Sequence, residues 1–440
     1  MKLLTFLATC CMSPVAILFV ILSLNPASSQ IIEEPLLDEI ERAGFLFFWE
    51  QADSVTGQVK DRSLAAGNPD PRNVSSIAAT GFGLATLAIA HDRGYSNRYL
   101  IEQRVLNTLR FIKNNLTNVN GWYYHFVDMY TGERVWECEL SSIDTALLMG
   151  GVVTVGQYFK DHAEIVALSK ELYEAVDFVW MMNGTQFINM GWKPESGFLN
   201  DSWNRYCELM ILLILAIGSP THPIPINSWN VFSRPNFTYM EHNYIHFPAP
   251  LFVHQFSHAF IDFENLRDNF TIDYFQNSVT ATRATKDFFL HDEEMSLWSY
   301  SENFWGVTAS DTPYGYDAWG GPPLMGRIDG SIVPCAAAGS IPFLPQETIA
   351  VLKNIRVNHT AQAWSRYGFV DAFNPITNWT NPDVIGIDVG VTVLMADNYR
   401  NKFVWRNFMS SPHIQNAMNK IGFVPYQPVK QNKSKRIGSN

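Results

Sequence analysis

Charge is scarce in this chain. Only 17% of its 440 residues are Asp, Glu, Lys or Arg, and acids outnumber bases 42 to 31. The resulting net charge of −11 argues against nucleic acid as the main partner, because phosphate binding needs a basic face. Cysteine is scarce too. Of five, Cys10 and Cys11 lie in the N-terminal stretch, which leaves Cys138, Cys207 and Cys335. Their spacing fits no zinc motif, so the choice is one disulfide plus a free thiol, or three buried thiols. Past the N-terminus there is no run of about 20 uninterrupted apolar residues, so a stable membrane association of the body is not expected. Gly-x-Ser-x-Gly and phosphate-cradling glycine loops are missing as well, which weakens a serine-hydrolase or nucleotide-dependent reading.

Hydrophobic residues make up 47% of the chain and aromatics 14%, with 30 Phe, 17 Tyr and 13 Trp. Such a composition excludes intrinsic disorder and calls for a large core. At the N-terminus Lys2 precedes an apolar stretch from Leu3 to Leu24, broken at Pro14, and Ala27-Ser28-Ser29-Gln30 supplies a small-x-small cleavage pattern. Residues 1–29 therefore read as a secretory signal, with an uncleaved anchor as the rival reading. Asn-x-Ser/Thr sequons begin at Asn73, Asn115, Asn183, Asn200, Asn236, Asn269, Asn358, Asn378 and Asn432. Chance would give about four, so a secreted, glycosylated protein is expected. Residues 30–425 show no shift of composition that would mark a second domain, and 426–440 read as a polar, basic, flexible tail.

Periodicity gives the architecture. Amphipathic helices are expected at 33–51, 97–113, 163–182 and 346–364, with a closing helix at 412–421. Between them lie segments that are small or apolar nearly all round, at 75–90, 141–155, 205–217, 331–341 and 387–398. A helix without a polar face is buried on every side. Weaker helical signals occur at 250–260 and 273–291. Buried helices alternating with amphipathic ones describe two concentric rings, an all-α (α/α)6 barrel. No series of short period-2 strands competes with it. The loops before the inner helices are long and rich in Trp, Tyr, Gly and Pro, as functional loops often are.

Acids stand where inner helices begin. Glu137, Glu139 and Asp144 precede or open one, Glu208 another, and Asp388 a third. Burial raises a carboxyl pKa, which suits a general acid, while a second, ionised carboxylate serves as base or nucleophile. Glycoside hydrolysis uses such a pair. Structural readings stand beside these: Ser141-x-x-Asp144 as a capping box, Glu208 neutralised by Arg205, Asp388 as a helix cap. Trp298, Tyr300, Phe304, Trp305, Tyr314, Tyr316 and Trp319 lie in one Gly- and Pro-containing stretch suited to sugar faces, with about half, Phe304 among them, expected to pack inward. His254, His258 and Asp262 at four-residue spacing invite a metal reading, but substrate contact or packing is commoner.

These segments together resemble the glycoamylase-like family, which includes bacterial endo-β-1,2-glucanases and is related to the cyclising domain of cyclic β-1,2-glucan synthases. The resemblance rests on Asp61-Arg62-Ser63, Ser76 to Gly83, Tyr124-His125-Phe126, Cys138 to Leu147, Gly191 to Glu195, Gly218 to Pro223, His254 to His258, Glu302 to Gly306, Arg366 to Pro375 and Gly386-Ile387-Asp388. It implies an (α/α)6 barrel and an inverting hydrolase that uses neither metal nor cofactor. By motif, Glu208 is the implied general acid and Asp388 the general base, with Glu139 and Asp144 supporting the cleft. Arg62, His125, Trp192, Tyr206, His258, Trp305 and Tyr367 are the expected contacts to an oligo- or polysaccharide. The stretch from Cys207 to Leu212 and the loop from Asp311 to Gly326 depart from the bacterial pattern. The expectation is a secreted, monomeric, endo-acting β-1,2-glucanase. A transglycosylase, a glucosidase of another linkage and a non-catalytic glycan-binding protein are its rivals.

Overall fold

A computed structural model describes residues 32–426. The signal at 1–29, the sequon at Asn432 and all of the tail but its first residue lie outside the described residues.

Among the described residues sixteen α-helices follow one another: α1 (Pro35–Glu50), α2 (Ile77–Arg93), α3 (Arg98–Asn114), α4 (Ser142–Tyr158), α5 (Ala163–Glu174), α6 (Phe178–Met181), α7 (Met210–Gly218), α8 (Asn227–Val231), α9 (Phe256–Phe260), α10 (Tyr274–His291), α11 (Pro334–Ala338), α12 (Pro345–Asn358), α13 (Thr360–Ala363), α14 (Gly386–Asn401), α15 (Phe403–Met409) and α16 (Pro412–Ile421). The inner ring comprises α2, α4, α7, α9, α11 and α14, each packed against inner neighbours. Outside them, α1 lies on α14 and α2, α3 on α2, α5 on α4, α12 on α11 and α16 on α7, with α10 behind the strap that leads into α9. This is the (α/α)6 toroid. One continuous apolar core runs from Leu36 to Phe423.

Local chemistry sets the helix starts. Ser76 accepts the Ala79 amide at the head of α2, Asn97 that of Leu100 at α3, Ser141 that of Asp144 at α4 and Asp273 that of Gln276 at α10. Each satisfies an amide that the helix itself leaves free. Every residue of α7, from Met210 to Gly218, is buried. The closest approach in the ring is between α2 and α4: a Cβ on Gly81 would stand 2.4 Å from the Leu147 carbonyl, and one on Gly151 2.0 Å from that of Gly81.

Several boundaries differ from the sequence reading. The amphipathic stretch 163–182 breaks between Glu174 and Phe178, and 346–364 divides into α12 and α13. The stretch 205–217 turns helical only at Met210, because residues 202–206 bridge or turn toward neighbouring loops. Of 331–341 only Pro334–Ala338 is α-helical, and 250–260 is a 3₁₀ turn (Leu251–His254) followed by α9. The helices α8 and α15 were not anticipated. Nor were the strands: among the described residues, eight two-stranded pairs and one three-stranded sheet stitch the loops. Each strand is only two to four residues long, too short to leave an alternating pattern in sequence.

Candidate active site

Three of the strand pairs stand at the N-terminal ends of inner helices. Val74–Ser76 pairs with Phe126–Asp128 at the head of α2, Leu140–Ser141 with Gly191–Lys193 at α4, and Asp383–Ile385 with Arg62–Leu64 at α14. They hold a cleft of about 1060 Å³, counting its open mouth, whose walls include Asp61, Arg62, His125, Trp136, Asp144, Glu208, Phe252, Tyr316 and Ile387. A second lobe of about 940 Å³ carries Trp203, Asn204, Arg205, Tyr206, Cys207 and Phe247. Glu208 and Phe252 line both lobes, so Glu208 stands at the seam.

Glu208 sits in the turn before α7. Burial pushes its carboxyl up to about 7; its own amide and the Cys207 thiol oppose this with hydrogen bonds, and the charge of Asp144 adds to it. Arg205 does not neutralise it: that guanidinium lies over the Phe247 ring, 4.6 Å from the centroid.

Facing Glu208 is a histidine between two acids. His125 Nδ1 is 3.0 Å from Glu139 Oε1, and Nε2 is 3.5 Å from Asp144 Oδ2. Burial opposes charge on this ring, but Asp144, Glu139 and Asp61 outweigh it and push its pKa up to about 9. The hydrogen bond from His125 holds the Glu139 carboxyl below its ordinary value, against the opposing effect of burial. The Ser141 hydroxyl both caps α4 and donates to the Asp144 carboxylate. The capping reading is therefore correct for Ser141, while Asp144 also faces the cleft.

Asp388 lies in the first turn of α14 and is 7% exposed. It makes no helix cap. Together with Asp371, Cys335 and Tyr367 it lines a separate small chamber with room for about one water molecule, which shares Ile385 with the cleft wall. Burial raises the Asp388 carboxyl and that of its neighbour Asp371. Beside them, Arg62 binds Asp311 through both carboxylate oxygens at 3.0 and 2.8 Å and reaches Asp61 at 3.0 Å.

The expected sugar contacts divide. Arg62 and His125 stand on the cleft wall, and Tyr206, fully buried, backs the second lobe with its hydroxyl bound to His254 and Asn277. Four others are not brought to either lobe. Trp192 packs on Trp180 at 5.7 Å. His258 is enclosed, with Nε2 3.1 Å from the Ser278 hydroxyl. Trp305 is wholly buried. The Tyr367 hydroxyl turns to Gln51 and Glu50. His254 and His258 likewise point to different partners, Tyr206 and His246 for one and Ser278 for the other, so they do not converge with Asp262. In the aromatic stretch, Phe304, Trp305 and Trp319 are buried, and Tyr316 alone of the seven reaches the cleft. Among the described residues the three cysteines are free thiols, Cys138 and Cys335 buried and Cys207 half-buried.

Sequence reasoning missed Trp136, Phe247, Phe252, Asp371 and Asp311. Trp136 is 67% exposed, and it and Glu137 both hold left-handed backbone (φ 57° and 49°). Its ring meets Phe126 at 5.1 Å, and Phe126 stacks on His125 at 3.9 Å. Strain of this kind persists where surrounding structure holds it, commonly at functional sites. Its presence in the motif Trp136-Glu137-Cys138-Glu139 was the available signal.

The Glycoamylase family model, described as a glucoamylase, matches residues 200–412. An exo β-1,2-glucooligosaccharide sophorohydrolase (non-reducing end) from Parabacteroides distasonis is 25% identical over 430 residues; the match covers 88% of this chain and 58% of that relative's length. An endo-β-1,2-glucanase from Chitinophaga pinensis, solved with sophorotriose and glucose, superposes with a TM-score of 0.81 at 26% identity, covering 88% of this chain and 98% of that one. An endo-β-1,2-glucanase from Talaromyces funiculosus, solved with sophorose, shares the fold at 11% identity, with a TM-score of 0.66 over 87% of each chain.

Proposed function

Given this likeness to the glycoamylase-like family, we propose that the chain is a glycoside hydrolase that cuts β-1,2-linked glucan internally and with inversion. The observation that carries the reading is Glu208: a carboxyl pushed up to about 7 at the seam of two lobes, where a glucan lying across both would place a glycosidic oxygen. A carboxyl that stays protonated near neutral pH is able to donate its proton to the leaving oxygen. Lobes on both sides of that acid favour internal cleavage over trimming from an end.

In this mechanism Glu208 is the general acid. The base is Asp388, with attacking water supplied from the chamber that it lines behind Ile385. His125, charged between Glu139 and Asp144, sets the field on the cleft wall and offers hydrogen bonds to hydroxyl groups of the sugar. Trp136 and Tyr316 supply ring faces, while Arg62, held by Asp61 and Asp311, supplies a fixed donor. Secretion as a glycoprotein completes the proposal. It is supported by the leader pattern and by sequon asparagines that are exposed at Asn115, Asn183, Asn200, Asn236, Asn269, Asn358 and Asn378.

The test is product analysis of purified protein on linear β-1,2-glucan, starch and laminarin. Release of a ladder of oligosaccharides from β-1,2-glucan alone, with α-configured first products, is expected. No release from β-1,2-glucan overturns the reading; binding without release identifies a glycan-binding protein, and longer products a transglycosylase.

A further inference from the structure

Three buried groups from three different elements meet at Asp388. Asp388 stands in the first turn of α14, Cys335 in α11, and Asp371 in the loop between the strands Gly368–Phe369 and Phe373–Asn374. All line the same chamber, and Asp371 is 4% exposed. Asp371 Oδ2 accepts the Asp311 amide at 2.8 Å and Asn381 Nδ2 at 3.0 Å. Its other oxygen and Asp388 Oδ2 are buried, and no amide, guanidinium or ammonium reaches either. The side chains that bear on Asp388 in this pocket are the Asp371 carboxyl and the Cys335 thiol, and Asp388 bears on Asp371 in turn.

Two ionised carboxylates in such contact repel, so the pair keeps one proton. Location decides which residue holds it. Asp388 lies at a helix N-terminus, where backbone amides favour negative charge. Asp371 faces the Asp311 carboxylate from the other side, and both accept from Asn381 Nδ2. The other charged or titratable groups around Asp388 are Asp61, Asp311 and Tyr316, with Arg62 neutralising part of Asp61 and Asp311.

We infer that Asp371 and Cys335 are positioning residues for the base: a protonated Asp371 carboxyl and the Cys335 thiol each donate a hydrogen bond to the Asp388 carboxylate. The two bonds aim the anion and keep it ionised inside a chamber that would otherwise neutralise it. No other group in the chamber lining does this, and the inference rests on the assignment of Asp388 as base.

The pH profile of kcat/KM on β-1,2-glucan tests it, with thermal unfolding measured alongside. Removing a donor to a charged acceptor in Cys335→Ala moves the acid limb up by about one pH unit. A hydroxyl is a stronger donor than a thiol, so Cys335→Ser moves the limb below that of the parent. In Asp371→Asn the amide oxygen still accepts from Asp311 and Asn381, and Nδ2 replaces the O–H donor; Asp371→Ala replaces neither. The alanine variant should therefore lose at least about tenfold more kcat than the asparagine variant and show a raised limb. A purely structural role would lower unfolding temperature and leave the limb in place. Limbs that stay at the parental position in Cys335→Ala and Asp371→Ala, while Asp388→Asn is inactive, overturn the inference. If either alanine variant fails to fold, Cys335→Ser decides, and an unmoved or raised limb overturns it. Near-parental turnover of Asp388→Asn removes the base assignment itself.

Discussion

At Glu208 the burial that equips a carboxyl for proton donation also costs stability. Its folded value of about 7 exceeds the ordinary 4.5, so the folded state binds an extra proton between those pH values. Stability contributed by the protonated form is present below 4.5 and is lost as pH rises through 7. Glu208→Gln removes that loss. It should lower kcat by about 10²–10⁴-fold and raise unfolding free energy above pH 7 by up to about 3 kcal/mol, with little gain at pH 4. Equal denaturant midpoints for the two proteins at pH 8 would contradict the burial argument. The parent's kcat/KM should also fall above pH 7 as the acid ionises. Trp136 makes a second residue-scale case. Its exposed ring on a strained backbone suits a sugar face, so Trp136→Ala should raise KM for the polymer about 3–10-fold while Trp136→Phe retains most affinity. Initial rates across a substrate series measure it.

Among the elements, the inner helices α2 and α4 approach through Gly81 and Gly151, where an added Cβ would meet backbone rather than a movable side chain. Gly151→Ala should therefore destabilise by about 1–3 kcal/mol, read as a lowered urea midpoint. A neutral result would mean that the two helices can slide apart. Behind the ring, Arg93 meets Asp397 at 2.7 Å and Arg400 meets Glu41 at 2.8 Å, all four side chains nearly inaccessible. These pairs tie α1, α2 and α14 together. Asp397→Ala leaves Arg93 buried without its partner and should cost about 3–5 kcal/mol in the same assay. Helices such as α2, α4 and α14 were legible because small and apolar residues surround them on every side. The shorter α9 and α11 were legible only as part of the longer segments 250–260 and 331–341: five residues are too few for a period to mark where a helix begins and ends.

At the scale of the whole molecule, the toroid turns the N-terminal ends of its inner helices toward one cleft. Residues as distant in sequence as Arg62 and Asp311, or Lys60 and Gly386, become neighbours there. Two lobes meeting at Glu208 predict that β-1,2-glucan chains shorten internally: mean length should collapse while little glucose or sophorose has appeared. Early release of one short product alone would show end-directed action and overturn the argument from the two lobes. The proposed glycosylation is tested on the whole surface: enzymatic deglycosylation of protein expressed through a eukaryotic secretory pathway should increase its mobility, given seven exposed sequon asparagines among the described residues.

Sequence by itself determined the double ring and the acids at the helix heads. Hydrophobic periodicity is local, and Glu139, Asp144, Glu208 and Asp388 each stand beside a helix start that can be read within a dozen residues. Only the tertiary structure decided which polar and aromatic side chains face the cleft. Trp192, His258, Trp305 and Tyr367 resemble sugar contacts in composition, but their side chains pack on neighbouring elements away from both lobes, whereas Trp136 is exposed beside Phe126. The partnership of Asp371, Cys335 and Asp388 was equally hidden, because it joins positions 335, 371 and 388 through a chamber that exists only once the ring has closed. Orientation and burial depend on contacts between segments far apart in the chain, and one segment's sequence carries no record of them.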